Sequence, residues 1–145
     1  MKTYVTAAAA LLVVASSSLL YAATMPHVAW DGMVLGKAGS KIRGLTEMVG
    51  GKVKGTTAVS VNYKGDVPGA TRAWHVHIGS CKKGGAIFGG ATAYTRLTVN
   101  AAGAAEGKAT LPVTLPDSGD FYVNVHESPT KMGTIIACGD LLLED

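Results

Sequence analysis

The sequence predicts an all-β fold, an antiparallel sandwich or barrel made of short strands. From residue 52 onward, apolar and polar residues alternate in runs of strand length. Turns rich in glycine separate these runs, and the 145-residue chain contains 19 glycines. No run shows the spacing of an amphipathic helix. Short alternating strands between such turns are typical of sandwiches and barrels.

The first 23 residues have the features of a secretory signal peptide. Lys2 supplies a positive start, residues 7–15 are apolar, and small residues lead to cleavage after Ala22 or Ala23. A short membrane anchor is the alternative, although the apolar run is short for a spanning helix. We therefore expect residues 24–145 to form one exported domain, periplasmic or extracellular, without a membrane span.

Composition narrows the range of partners. The 13 Lys and Arg residues against 10 Asp and Glu residues give a formal net charge of +3. Basic runs and interleaved aromatic residues are lacking, so nucleic acid is not an expected partner. Slight basicity favours small anions. The sequence shows no Ser/His/Asp arrangement, no paired carboxylates and no phosphate-binding loop.

The strands can be followed along most of the chain. Residues 24–50 are the least informative, with one strand and turn expected over 44–51. Pro112 indicates an edge position or a bulge. The remaining strand-like segments are residues 53–63, 73–78, a short one through Ile87 and Phe88, then 94–99, 107–115, 121–126, 134–138 and 141–143.

The segment over residues 73–78 carries the main chemical signal. Side chains alternate between the two faces of a strand, so Trp74, Val76 and Ile78 share one face and are expected in the core. His75 and His77 share the opposite face, at a spacing that lets both reach one metal ion.

His126 lies in the strand-like segment over residues 121–126, and the two cysteines follow the two histidine segments. Two cysteines in an exported chain predict a Cys81–Cys138 disulfide. Three neutral imidazoles suit copper or zinc. The alternative is that these histidines only form hydrogen bonds. His27 is a further candidate ligand, although a surface histidine is the simpler interpretation.

At these residues the chain resembles the copper–zinc superoxide dismutase family. The matching pieces are the His75-Val76-His77 pair, the later Val-His-Glu around His126, and the Ala-Cys-Gly around Cys138. The resemblance implies a Greek-key β-barrel, a copper ion bound by His75, His77 and His126, and superoxide as the small-anion substrate. The same segments are similar to the CHRD domain, an extracytoplasmic module of poorly defined function.

Two departures modify this expectation. No histidine lies between His77 and His126, so the resemblance provides no zinc site. Ile135 stands where the family has its catalytic arginine, two residues before Ala137. Copper-only members without zinc are therefore the closer comparison.

Three hypotheses follow from the sequence. The first is an exported single-copper protein that dismutates superoxide, with copper alternately reduced and oxidised. The second is a metal-free CHRD-like binding or structural module. The third is a copper store or carrier that uses the same three histidines without catalysis.

Overall fold

The structure, a computed structural model, describes residues 28–144 and confirms the all-β prediction. The expected signal peptide and His27 lie outside the described residues. A short 3-10 helix covers Ala91–Ala93. The strands are β1 (Ala29–Gly36), β2 (Arg43–Gly50), β3 (Thr57–Lys64), β4 (Thr71–Ile78), β5 (Leu97–Thr98), β6 (Ala105–Leu111), β7 (Phe121–Ser128) and β8 (Lys131–Glu144).

The strands form one antiparallel sheet in the order β5-β4-β7-β8-β1-β2-β3-β6. A single bridge between Tyr94 and Ala109 brings the two edges together, so the sheet is a nearly closed barrel. With the edge strands β5 and β6 brought together in this way, the neighbouring strands β7, β4, β5 and β6 form a Greek key, in which β7 returns to lie beside β4. This return pairs the two histidine-bearing strands.

The interior of the barrel is filled by inward-facing apolar side chains. Trp74 and Val76 are fully buried there, and the Trp74 indole N–H donates to the carbonyl of Thr95 at 2.8 Å. Gly107 lies against this indole: a Cβ at Gly107 would be 2.9 Å from Trp74 Nε1. The expectation that Ile78 also lies in the core is wrong. Ile78 ends β4 and is 51% exposed.

Several strand boundaries differ from the expected ones. Strand β1 was not predicted, although Trp30 and Val34 are both buried. Strand β8 is continuous over two segments that were predicted separately. Val53 lies in the turn before β3 and is exposed. Pro112 directly follows β6, which is an edge strand, so its missing N–H removes no ladder hydrogen bond.

An ion pair lies at the start of β4. Arg72 donates to both carboxylate oxygens of Asp66, at 2.6 and 3.0 Å, and to the carbonyl of Glu127 at 2.6 Å. Tyr63 donates to the same carboxylate at 3.0 Å. Hydrogen bonds from Arg72, Val67 and Tyr63 outweigh burial and hold the pKa of Asp66 below its ordinary value. These contacts join β3, β4 and β7.

Candidate metal centre

The register between β4 and β7 brings the three histidines to one patch of the sheet. Directly paired residues point to the same face, and His75 pairs with Asn124 while Ala73 pairs with His126. All of these side chains project from the outer face, opposite the core. His126 therefore lies diagonally beside His75, and a bulge between Val125 and His126 turns this part of β7.

The imidazoles are close enough to share one ion. One ring nitrogen from each histidine lies within 4.8 Å of the others, and His75 Nδ1 is 3.2 Å from His126 Nε2. The three side chains project from the outer face but are almost completely buried. His75 is 5% exposed, His77 is 8% exposed and His126 is 4% exposed. The predicted convergence is therefore present, and the site is more enclosed than a sheet surface would be.

Hydrogen bonds fix the tautomers of two of the histidines. His77 Nδ1 lies 2.9 Å from the carbonyl of Gly85, and His126 Nδ1 lies 2.6 Å from the carbonyl of Met132. A carbonyl only accepts, so each Nδ1 carries the proton and each Nε2 carries a lone pair. Within the described residues, His77 Nε2 is buried without a partner. An orphaned nitrogen of this kind is what a metal ion would satisfy.

Residues 79–96, which we call the covering segment, lie along the outer edge of β4. Ile87 bridges to His77, and the Phe88 N–H donates to the carbonyl of Val76 at 2.9 Å. Gly85 packs so closely on β4 that any Cβ there would overlap the Ile78 carbonyl oxygen. The segment therefore needs glycine at this position to reach the strand.

Two tyrosines complete the walls of the site. The Tyr94 ring meets His75 edge-on at 5.2 Å between centroids, and its hydroxyl donates to the carbonyl of Phe88 at 2.8 Å. The Tyr122 ring stacks on His77 at 5.0 Å. These rings hold the imidazoles in place and keep water away from them.

Burial keeps the three imidazoles neutral. Burial, together with repulsion from His126 and His77, lowers the pKa of His75 to about 4. Burial also lowers the pKa of His77 and of His126, and the hydrogen bonds to Gly85 and Met132 offset only part of this effect. At neutral pH the cluster therefore presents lone pairs rather than charges, as metal binding requires.

A disulfide ties the covering segment to β8. Cys81 and Cys138 are bonded, with their Cα atoms 6.0 Å apart, which confirms the predicted pair. The Cys81 N–H also donates to the carboxylate of Asp140 at 2.7 Å. The segment that contributes the Gly85 carbonyl is thus anchored beside the cluster.

No protein-family model matches the chain, and no curated protein matches it. Within residues 28–144, no helix is long and apolar enough to cross a membrane. The site must therefore be interpreted from its own residues.

Several neighbours of the cluster were not singled out from the sequence. Asn124 and Tyr122 share the outer face of β7 with His126, so alternation along the strand could have found them. Tyr94 lies far along the chain and has no local signal. Ile135 pairs with His126 and is half-buried, so an apolar side chain occupies the place where the resemblance expects arginine.

Proposed function

We propose that the chain is an exported copper protein of the superoxide dismutase-like type, with one copper ion held by His75, His77 and His126 and no zinc. One observation carries the proposal: three neutral imidazoles, each offering a nitrogen, are gathered within 4.8 Å. Three imidazoles on rigid strands are a recurring protein site for copper and zinc.

The donor set favours copper. No carboxylate of the described residues belongs to this cluster, and both cysteines are engaged in the disulfide. Hard ions such as Mg²⁺ and Ca²⁺ prefer oxygen ligands. Among the divalent first-row metals, Cu²⁺ is bound most tightly by a given nitrogen site. When bound, copper supplies a centre that accepts and returns one electron.

The surrounding residues hold the ligands ready. The carbonyls of Gly85 and Met132 fix the ring orientation and the tautomer of His77 and His126. Such outer partners affect metal affinity strongly, because they set both the direction and the basicity of the ligating nitrogen. The covering segment shields the same nitrogens from bulk water.

Superoxide dismutation is the second candidate. Three protein ligands leave a coordination position for a small anion, which is the arrangement of catalytic metal sites. The half-buried Ile135 carries no charge, so position 135 does not attract a small anion to the site electrostatically. We therefore expect slower superoxide consumption than diffusion would permit.

Metal analysis of the full chain purified from its native compartment tests the proposal. We expect one copper and no zinc per chain, with nitrogen hyperfine structure in the Cu²⁺ electron paramagnetic resonance spectrum. Protein that remains metal-free after incubation with either oxidation state of copper would support the metal-free module instead. Stoichiometric copper without superoxide consumption would support the store or carrier. N-terminal sequencing that finds Met1 on exported protein would contradict the predicted signal peptide.

A further inference from the structure

Asn124 lies beside the histidine cluster, on the outer face of β7. It pairs with His75 across the β4–β7 ladder and with Cys138 on the other side, and it precedes His126 by two residues on the same face. Directly paired side chains on one face have Cβ atoms about 5 Å apart. Asn124 is 7% exposed, and its amide keeps a small contact with solvent, because the fully buried side-chain atoms without a partner within the described residues belong to Thr46 and His77.

The amide differs from several neighbouring polar groups, which already have partners. His77 and His126 use their Nδ1 protons on backbone carbonyls, and the Tyr94 hydroxyl is used in the same way. None of the side-chain hydrogen bonds within residues 28–144 uses Asn124. The amide donors are therefore free to bind a ligand at the cluster.

We propose that the Asn124 amide hydrogen-bonds the water or small anion that occupies the metal's open position, and so determines which exogenous ligands the site accepts. This inference rests on the proposed copper site. Asn124 is then a positioning residue: it acts on the exogenous ligand, while the three imidazoles hold the ion. As a neutral donor beside the cluster, it makes the anion contact that Ile135 cannot make.

Azide titration of the Cu²⁺-loaded full chain tests the role of Asn124. Asn124→Leu removes the amide and keeps the branching of the side chain, and we expect it to weaken azide binding by about tenfold, which corresponds to about 1.4 kcal/mol. Copper stoichiometry should stay at one. Asn62→Leu is the matched control, because Asn62 is an exposed residue on β3 outside the cluster. It should leave azide affinity unchanged.

Asn124→Asp separates a ligand-contacting role from a structural one. The carboxylate has the same size as the amide but repels anions and attracts the metal, so azide affinity should fall while Cu²⁺ affinity rises. Equal azide affinity in the parent and in both folded Asn124 variants would overturn the inference and leave the copper site intact. A parent chain that binds no copper would overturn both. If Asn124→Leu fails to fold, Asn124→Asp decides alone.

Discussion

His126 Nε2 lies 3.2 Å from His75 Nδ1, although the two residues are 51 positions apart in the chain. His126 donates its Nδ1 proton to Met132, so its Nε2 is an acceptor. Without a metal, His75 Nδ1 must therefore carry a proton directed at His126, because two facing lone pairs would repel each other. An ion between them would replace that proton and require the other tautomer of His75.

His75→Ala should abolish tight copper binding. The variant removes one of three ligands, and we expect Cu²⁺ affinity to fall by more than about 100-fold, since loss of an outer-shell partner alone produces 10- to 100-fold losses. Competition with a chelator of known affinity measures the change. Glu127→Gln is the control: its carboxylate pairs with Lys131 at 3.4 Å and is not part of the cluster. A His75→Ala chain that retains parental affinity would remove His75 from the site.

Acid should destabilise the metal-free protein from about pH 6.5 downward. Histidine in the unfolded chain protonates near pH 6.5, whereas the pKa of His75 in the folded chain is lowered to about 4. Between these values the unfolded state binds more protons, so the free energy of unfolding falls as pH falls. His75 alone contributes a slope of at most about 1.4 kcal/mol per pH unit.

Urea unfolding at several pH values between 4 and 7.5 measures this slope. His77 and His126 have lowered pKa values for the same reason and should add to it. Replacing His75 with Gln should reduce the slope by up to about 1.4 kcal/mol per pH unit, which is the contribution of one proton. A pH-independent free energy of unfolding in the parent would show that the cluster charges as readily in the folded state as in the unfolded state.

Reduction of the disulfide should destabilise the protein substantially. Cys81 and Cys138 are separated by 57 positions, and closing a loop of that size contributes about 4 kcal/mol in the chain-entropy model. Urea unfolding with and without reductant gives the value. A variant with both cysteines replaced by serine should show the lower stability under both conditions. An unchanged unfolding midpoint on reduction would exclude this contribution.

Thr46→Val should stabilise the barrel by about 1 kcal/mol. Thr46 is 2% exposed, and its hydroxyl has no partner within the described residues. Valine has nearly the same shape and removes the unpaired hydroxyl. Thr57 is the matched control because its buried hydroxyl donates to the carbonyl of Val113 at 2.8 Å. Thr57→Val should therefore lower the free energy of unfolding, and the same sign for both variants would contradict the argument.

The sequence predicts the fold best where apolar and polar residues alternate strictly. Strands β4 and β7 carry valines and aromatic residues at every second position, and both were predicted. In β1, Gly32 stands between the inward-facing Trp30 and Val34 and interrupts the apolar pattern. Gly139 and Asp140 divide β8 in the same way. Ile78 matches the apolar side of β4 but lies at its end, where the barrel no longer covers it.

The sequence predicts which histidines form the cluster but not how enclosed the cluster is. The spacing of His75 and His77 depends only on the two-residue period of a strand. Their meeting with His126 depends on strand register, which no local pattern determines. The burial of the cluster comes from residues 79–96, and contacts such as Gly85 with His77 become visible only when the chain is folded.

The close packing of Gly85 on β4 has a kinetic consequence. A metal ion in this cluster would lie beneath the covering segment, which packs on Ile78 and holds His77 through the Gly85 carbonyl, so local opening of this segment would favour its release. Exchange would then be limited by local opening rather than by affinity. Such a protein would retain the ion it acquired while folding. Its metal content would then depend on the metals available in the compartment where the chain folded, even after transfer to surroundings richer in another metal.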